Sequence, residues 1–171
     1  MFKLSLFSFL LFTLSFANPL FNPTYVDTQK FSGLWYEIAR TYNNYEKECV
    51  AASVEYTLDK DAYDVHNRCF KESIGAKLIE YKGTAKAING KDMSALKMTY
   101  FWIFSKKYRV VYLNAYKTAV LSDEDFKNLW IMSRTPKMDK AELAMILENL
   151  KSKMDTQKLI FTTQEEQGRY R

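Results

Sequence analysis

The stretch Phe31-Ser32-Gly33-Leu34-Trp35-Tyr36-Glu37-Ile38-Ala39-Arg40 decides the fold. A glycine two residues ahead of a tryptophan opens an apolar-rich run, as where a chain turns into a strand. Alone this start says little, because many strands begin with Gly and an aromatic. A partner lies far downstream, Trp130-Ile131-Met132-Ser133-Arg134-Thr135-Pro136, a late strand that ends just before a helical segment. The two together are specific.

Between them, apolar and polar residues alternate segment after segment. Val50, Ala52, Val54, Tyr56 and Leu58 share one face, and the turn Asp59-Lys60-Asp61 comes next. Tyr63, Val65 and Asn67 continue, then Ile79, Tyr81, Gly83, Ala85 and Ala87 up to a turn at Asn89-Gly90. Leu96, Met98 and Tyr100 alternate with Lys97 and Thr99. Tyr108, Val110 and Tyr112 come after them, then Ala119 and Leu121, and Trp130, Met132 and Arg134 close the series. Short turns between consecutive strands imply an antiparallel meander. Eight such strands can close into an up-and-down barrel, which removes both sheet edges. One helix is expected after Asp139, which can cap it, with Glu142 at the capping-box position. Its apolar stripe is Leu143, Ile146, Leu147, Leu150 and Met154. Leu159 to Thr163 fits a short last strand.

With these motifs the chain resembles the lipocalins, in particular their bacterial and apolipoprotein-D-like branch, over roughly residues 25 to 165. The resemblance implies an all-β fold: an eight-stranded antiparallel barrel with one C-terminal helix packed outside. It implies that Trp35, with Gly33 before it, plugs the closed end and that Arg134 packs across it, a stacking worth ~0.5–2 kcal/mol. It also favours a ligand cavity over a barrel filled by its own side chains.

The chain has 171 residues, a formal charge of +5, and 12 Tyr with 12 Phe. That length supports one domain with a real core. The basic residues alternate with acids, so no nucleic-acid arm is expected. So many aromatics suit a wall that is apolar yet offers polar tips. Residues 1–17 read as a secretory signal: Lys3, an apolar run from Leu4 to Phe16, and small residues at Ser15 and Ala17. That run is short for a membrane span, which needs about 20 residues. Residues 18–171 then form the barrel domain. No Cys comes after the apolar run, so the expectation is an exported, soluble protein of the periplasm or extracellular space with no lipoprotein anchor.

The inward faces carry the expected ligand contacts: Val54, Tyr56, Val65, Tyr81, Ala85, Met98, Tyr100, Tyr108, Val110, Tyr112 and Trp130. Cys49 and Cys69 are the only cysteines, and export favours a disulfide between them. A simple hairpin about Asp59 to Asp61 places Cys69 nearer Ala52 than Cys49, and on the opposite face. A bulge in one strand would repair both faults. Glu37 points inward by strict alternation, where a lone carboxylate is costly. Either the strand bends and turns it out, or it pairs with a base such as Arg134. Phe101-Trp102-Ile103-Phe104 followed by Ser105-Lys106-Lys107 falls at the barrel mouth. Ordinary strand packing explains such a cluster, and so do contact with a membrane surface, a gate, or a homodimer contact.

His66 is the only histidine and alternates outward. No G-x-S-x-G, glycine-rich phosphate loop or metal-ligand spacing accompanies it, so no catalytic residue, metal or cofactor is expected. The reading is a carrier of one small hydrophobic ligand, a fatty acid or lysophospholipid, serving envelope lipid handling. Lys47, Lys106 and Lys107 are placed to meet a carboxylate or phosphate. Two other classes stay open: a lipocalin-fold enzyme of isomerase or de-epoxidase type using Glu37 with a pocket Tyr, and a module that binds proteins through its mouth loops.

Overall fold

A computed structural model describes residues 20–101 and 103–165. The signal-peptide reading of residues 1–17 and the reading of Trp102 therefore fall outside the described residues. A two-residue strand β1 (Leu20–Phe21) comes first and pairs with a later barrel strand. The short helix α1 (Thr28–Phe31) is next, capped by Asp27, whose side chain accepts from the Lys30 N–H at 2.9 Å.

Eight antiparallel strands then form the barrel: β2 (Gly33–Arg40), β3 (Cys49–Asp59), β4 (Ala62–Lys71), β5 (Leu78–Asn89), β6 (Asp92–Tyr100), β7 (Phe104–Asn114), β8 (Thr118–Ser122) and β9 (Leu129–Ser133). Each pairs with the next, and β9 pairs back onto β2, so the barrel is closed. The hairpins turn at Lys60, with φ +55°, and at Gly90, with φ +63°, inside the two turns the sequence marks.

Strict alternation breaks at bulges in β2, β3 and β7, each of which puts two successive residues on the outer face, and the β5–β6 register also shifts, between Ala87 and Asn89 near the hairpin. In β2 the register shifts between Glu37 and Ala39, and Ile38 and Ala39 both pack outside. In β3 it shifts between Val50 and Ser53, and Val50 and Ala51 both pack outside, with Ala51 at φ +52°. In β7 it shifts between Val110 and Tyr112, and Val111 and Tyr112 both pack outside. Val50 and Tyr112 are thus not on the inner face that alternation assigns them.

The outward pairs have a purpose in packing. Helix α2 (Lys140–Leu150) starts at Asp139, whose carboxylate accepts from the Glu142 N–H at 2.9 Å. Its stripe, with Ile146 and Leu150 buried, lies on Ile38, Ala39, Val111, Tyr112, Val120 and Ile131. The Glu142 side chain does not return to its own helix end. It accepts from Tyr112 Oη and Asn114 Nδ2, each at 2.8 Å, and so pins helix to barrel. After α2, the strand β10 (Ile160–Phe161) pairs with Arg40 and Ala39 of β2. The chain there fills the split where β2 leaves β3: Thr163 O accepts from Ala51 N, and Gln164 Nε2 donates to Ala52 O.

One end of the barrel is closed by side chains. Phe31, Trp35, Tyr56 and Tyr63 form an aromatic stack with ring centres 5.0 to 5.6 Å apart along the chain of contacts. Trp35 is fully buried and its Nε1–H donates to Phe31 O at 2.9 Å. Arg134 covers the indole at 3.7 Å from the ring centre. Gly33, at φ +98°, suits the left-handed backbone there, and a Cβ would press on Arg134 Nη1 at 3.3 Å.

Candidate ligand cavity

The other end of the barrel opens on a cavity of about 670 Å³, within the range of small-molecule sites. Of the residues expected to line it, Val54, Tyr56, Tyr81, Met98, Tyr100, Tyr108 and Trp130 do so. Val65, Ala85 and Val110 face inward but sit in the packed core with Phe31 and Trp35, away from the cavity. Tyr112 is a correction: the β7 bulge turns it out under α2. Gly83 makes room for a lining ring, because a Cβ there would come within 2.7 Å of the Tyr100 side chain.

The polar tips are few and placed. Tyr100 Oη accepts from Asn67 Nδ2 at 3.0 Å. Tyr108 and Trp130 meet edge to face at 5.4 Å. Burial, then Asp123, Glu46 and Tyr45, push the Tyr108 hydroxyl up to about 12, so it stays protonated and neutral.

Glu37 faces the cavity, and its partner is not Arg134. The β2 bulge brings Arg40 back to the inner side, where Nη1 donates to Glu37 at 2.9 Å. The C-terminal segment adds Thr162, whose hydroxyl donates to the same carboxylate. Glu37 and Arg40 are both buried, 4% and 2% exposed. Burial, then the charge of Glu46, push Glu37 up to about 8 against the pull of Arg40.

The loop between β2 and β3 contributes residues that no periodicity could reveal. Tyr42, Asn43, Tyr45 and Glu46 all line the mouth. Glu46 accepts from Trp130 Nε1 at 3.1 Å, which ties the loop to the barrel. Phe101, Ile103 and Phe104 complete the rim and are 52%, 75% and 58% exposed. Of the three lysines expected near the mouth, Lys106 lines it and binds Asp123 at 2.7 Å. Lys47 and Lys107 are exposed and do not line it.

Cys49 and Cys69 form a disulfide with Cα atoms 5.4 Å apart. The β3 bulge supplies the extra residue, so that Ala51 and Ala52 together oppose Cys69 and both cysteines share one face with Ala52 and Ile79.

Known proteins agree with this geometry. A family model described as a lipocalin-like domain matches residues 26–164. The chain belongs to the lipocalin family. Among the curated lipocalins, it is 31% identical over 143 residues to outer membrane lipoprotein Blc of Vibrio cholerae, covering 81% of this chain and 83% of that one. It is 29% identical over 141 residues to outer membrane lipoprotein Blc of Escherichia coli K12, covering 81% and 79%. Insecticyanin from the tobacco hornworm Manduca sexta shares the fold at a TM-score of 0.66 and 19% identity, over 84% of this chain and 85% of that one. The names of the bacterial relatives correct one expectation. They are outer membrane lipoproteins, so the reading of a soluble exported lipocalin with no lipoprotein anchor does not stand.

Proposed function

We propose that this lipocalin binds and carries one single-chain lipid, a fatty acid or a lysophospholipid, in the cell envelope. The observation that carries the reading is the cavity itself, a 670 Å³ space whose wall is largely apolar and aromatic, with hydroxyl, amide and charged groups set into it. An acyl chain leaving water for such a wall gains ~0.8 kcal/mol per methylene. The carboxyl group on which the enzymatic alternative relies, Glu37, is held by Arg40 and Thr162, which favours carriage over turnover. The exposed apolar rim of Phe101, Ile103 and Phe104 suits contact with a lipid surface during loading or release.

The test is titration of delipidated protein with oleate and with a lysophospholipid, read by calorimetry. One saturable site for either supports carriage. Absence of binding by both contradicts it. Ile103→Glu should lower partition onto lipid vesicles several-fold, and an unchanged partition would remove the rim from the account.

A further inference from the structure

The cavity mouth has a charge pattern that an acyl chain does not use. Glu37 and Glu46 both line the cavity, whereas Arg40, the base between them, does not. Arg40, on the inner side but 2% exposed, lies 2.9 Å from the Glu37 carboxyl group and 3.8 Å from the Glu46 carboxylate. Lys106 is the one lining base among the described residues, and Asp123 already neutralises it. Burial holds Glu37 largely protonated at neutral pH, so the carboxylate that the wall presents to the cavity is that of Glu46, while Arg40 does not line it.

Glu46 is only partly satisfied. Trp130 Nε1, Asn43 Nδ2 and Arg40 Nε all approach Oε2, so Oε1 has no hydrogen bond among the described residues. Aromatic rings stand around it. Trp130 touches Glu46 directly and meets Tyr108 edge to face, and Tyr45, 61% exposed, lines the same mouth. One cation already uses this surface: Lys106 Nζ lies 6.0 Å from the centre of the Tyr108 ring. Aromatic faces beside a carboxylate attract ammonium groups, through the ring quadrupoles and the counter-charge together. The Glu46 carboxylate also repels an anionic head.

We propose that the cavity mouth is a cation subsite, where the ammonium of a single-chain amphiphile lies against Tyr45, Tyr108 and Trp130 with Glu46 as its counter-charge. The proposal rests on the carrier reading and narrows it. Among single-chain lipids it favours those with an ammonium group over free fatty acids.

Three amphiphiles with the same dodecyl chain test it: dodecyltrimethylammonium and dodecanoate below their micelle concentrations and dodecanol below its solubility limit, at pH 7, by calorimetry. The ammonium should bind about tenfold tighter than the alcohol, and the carboxylate more weakly than the alcohol. Glu46→Gln should erase the advantage of ammonium over alcohol, and Tyr108→Leu should reduce it several-fold. A carboxylate that binds as tightly as the ammonium overturns the subsite, and so does an undiminished preference in folded Glu46→Gln. If that variant does not fold, the ranking with the wild-type protein decides alone. Equal binding of all three sinks the subsite but leaves the carrier reading standing; no binding by any of them sinks both.

Discussion

The Arg134 guanidinium lies 3.7 Å from the centre of the Trp35 ring and donates to five main-chain carbonyls, those of Lys30, Phe31, Ser32, Leu34 and Tyr116. One side chain thus ties α1, β2 and the β7–β8 turn together over the closed end. Lysine has neither the planar face nor the fork of donors. Arg134→Lys should therefore cost about 2 kcal/mol, the scale of a lost hydrogen bond to a charged group, and Trp35→Ala about 3–5 kcal/mol. Urea unfolding measures both. Two variants as stable as wild type would show that the closed end does not depend on this pair.

The disulfide spans a sequence separation of 20 residues, for which chain-entropy reasoning gives about 3 kcal/mol. Replacing both cysteines by serine should lower stability by that order and should leave the barrel closed. Alkylation and mass spectrometry of non-reduced protein should find no free thiol at Cys49 or Cys69; a pair of labelled thiols would contradict the bond.

Glu37 makes stability depend on pH. Its folded value, about 8, lies above the ordinary 4.5 of a free carboxyl, so between these the native state holds more protons than the unfolded chain. Its contribution is complete below pH 4.5 and is lost as pH rises through 8. Glu37→Gln should flatten the fall in stability across that window. A wild-type protein that gains stability from this group as the pH rises across the same window would mean that Arg40 keeps Glu37 ionised.

Tyr112 and Tyr108 separate the two faces of β7. Tyr112 reaches α2 through Glu142, whereas Tyr108 lines the cavity. Tyr112→Ala should destabilise by several kcal/mol, about 3–5 on the scale of other core aromatics, while the folded fraction keeps wild-type lipid affinity. Weakened lipid binding in that folded fraction would place Tyr112 inside.

Much of the barrel is legible in the sequence because its wall repeats every two residues. Tyr56, Tyr81, Met98, Tyr100 and Tyr108 all stand on strands whose alternation is unbroken up to the cavity. The bulges are not legible. Each adds one residue without glycine or proline to mark it, and each reverses the face of the residues beyond it. For that reason alternation misplaces Val50 and Tyr112, hides Arg40 as the partner of Glu37, and sets the cysteines out of register. The loop from Tyr42 to Glu46 escapes for a different reason: its place over the mouth is set by long-range bonds, such as Glu46 with Trp130, that no local pattern encodes. The family resemblance supplies the closed end and the outer helix, which periodicity alone does not orient.

Lipid carriage requires the ligand to sit inside the barrel. Met98 is 6% exposed and lines the cavity, whereas its neighbour Thr99 is turned away from it. The most direct measurement is the affinity of a long-chain lysophospholipid, by calorimetry, for wild-type protein, Met98→Arg and Thr99→Arg, each first shown to be folded by circular dichroism. An arginine at Met98 fills the space and buries a charge, so binding should be lost there and kept at Thr99. Equal affinities for the two variants would contradict a ligand inside the barrel.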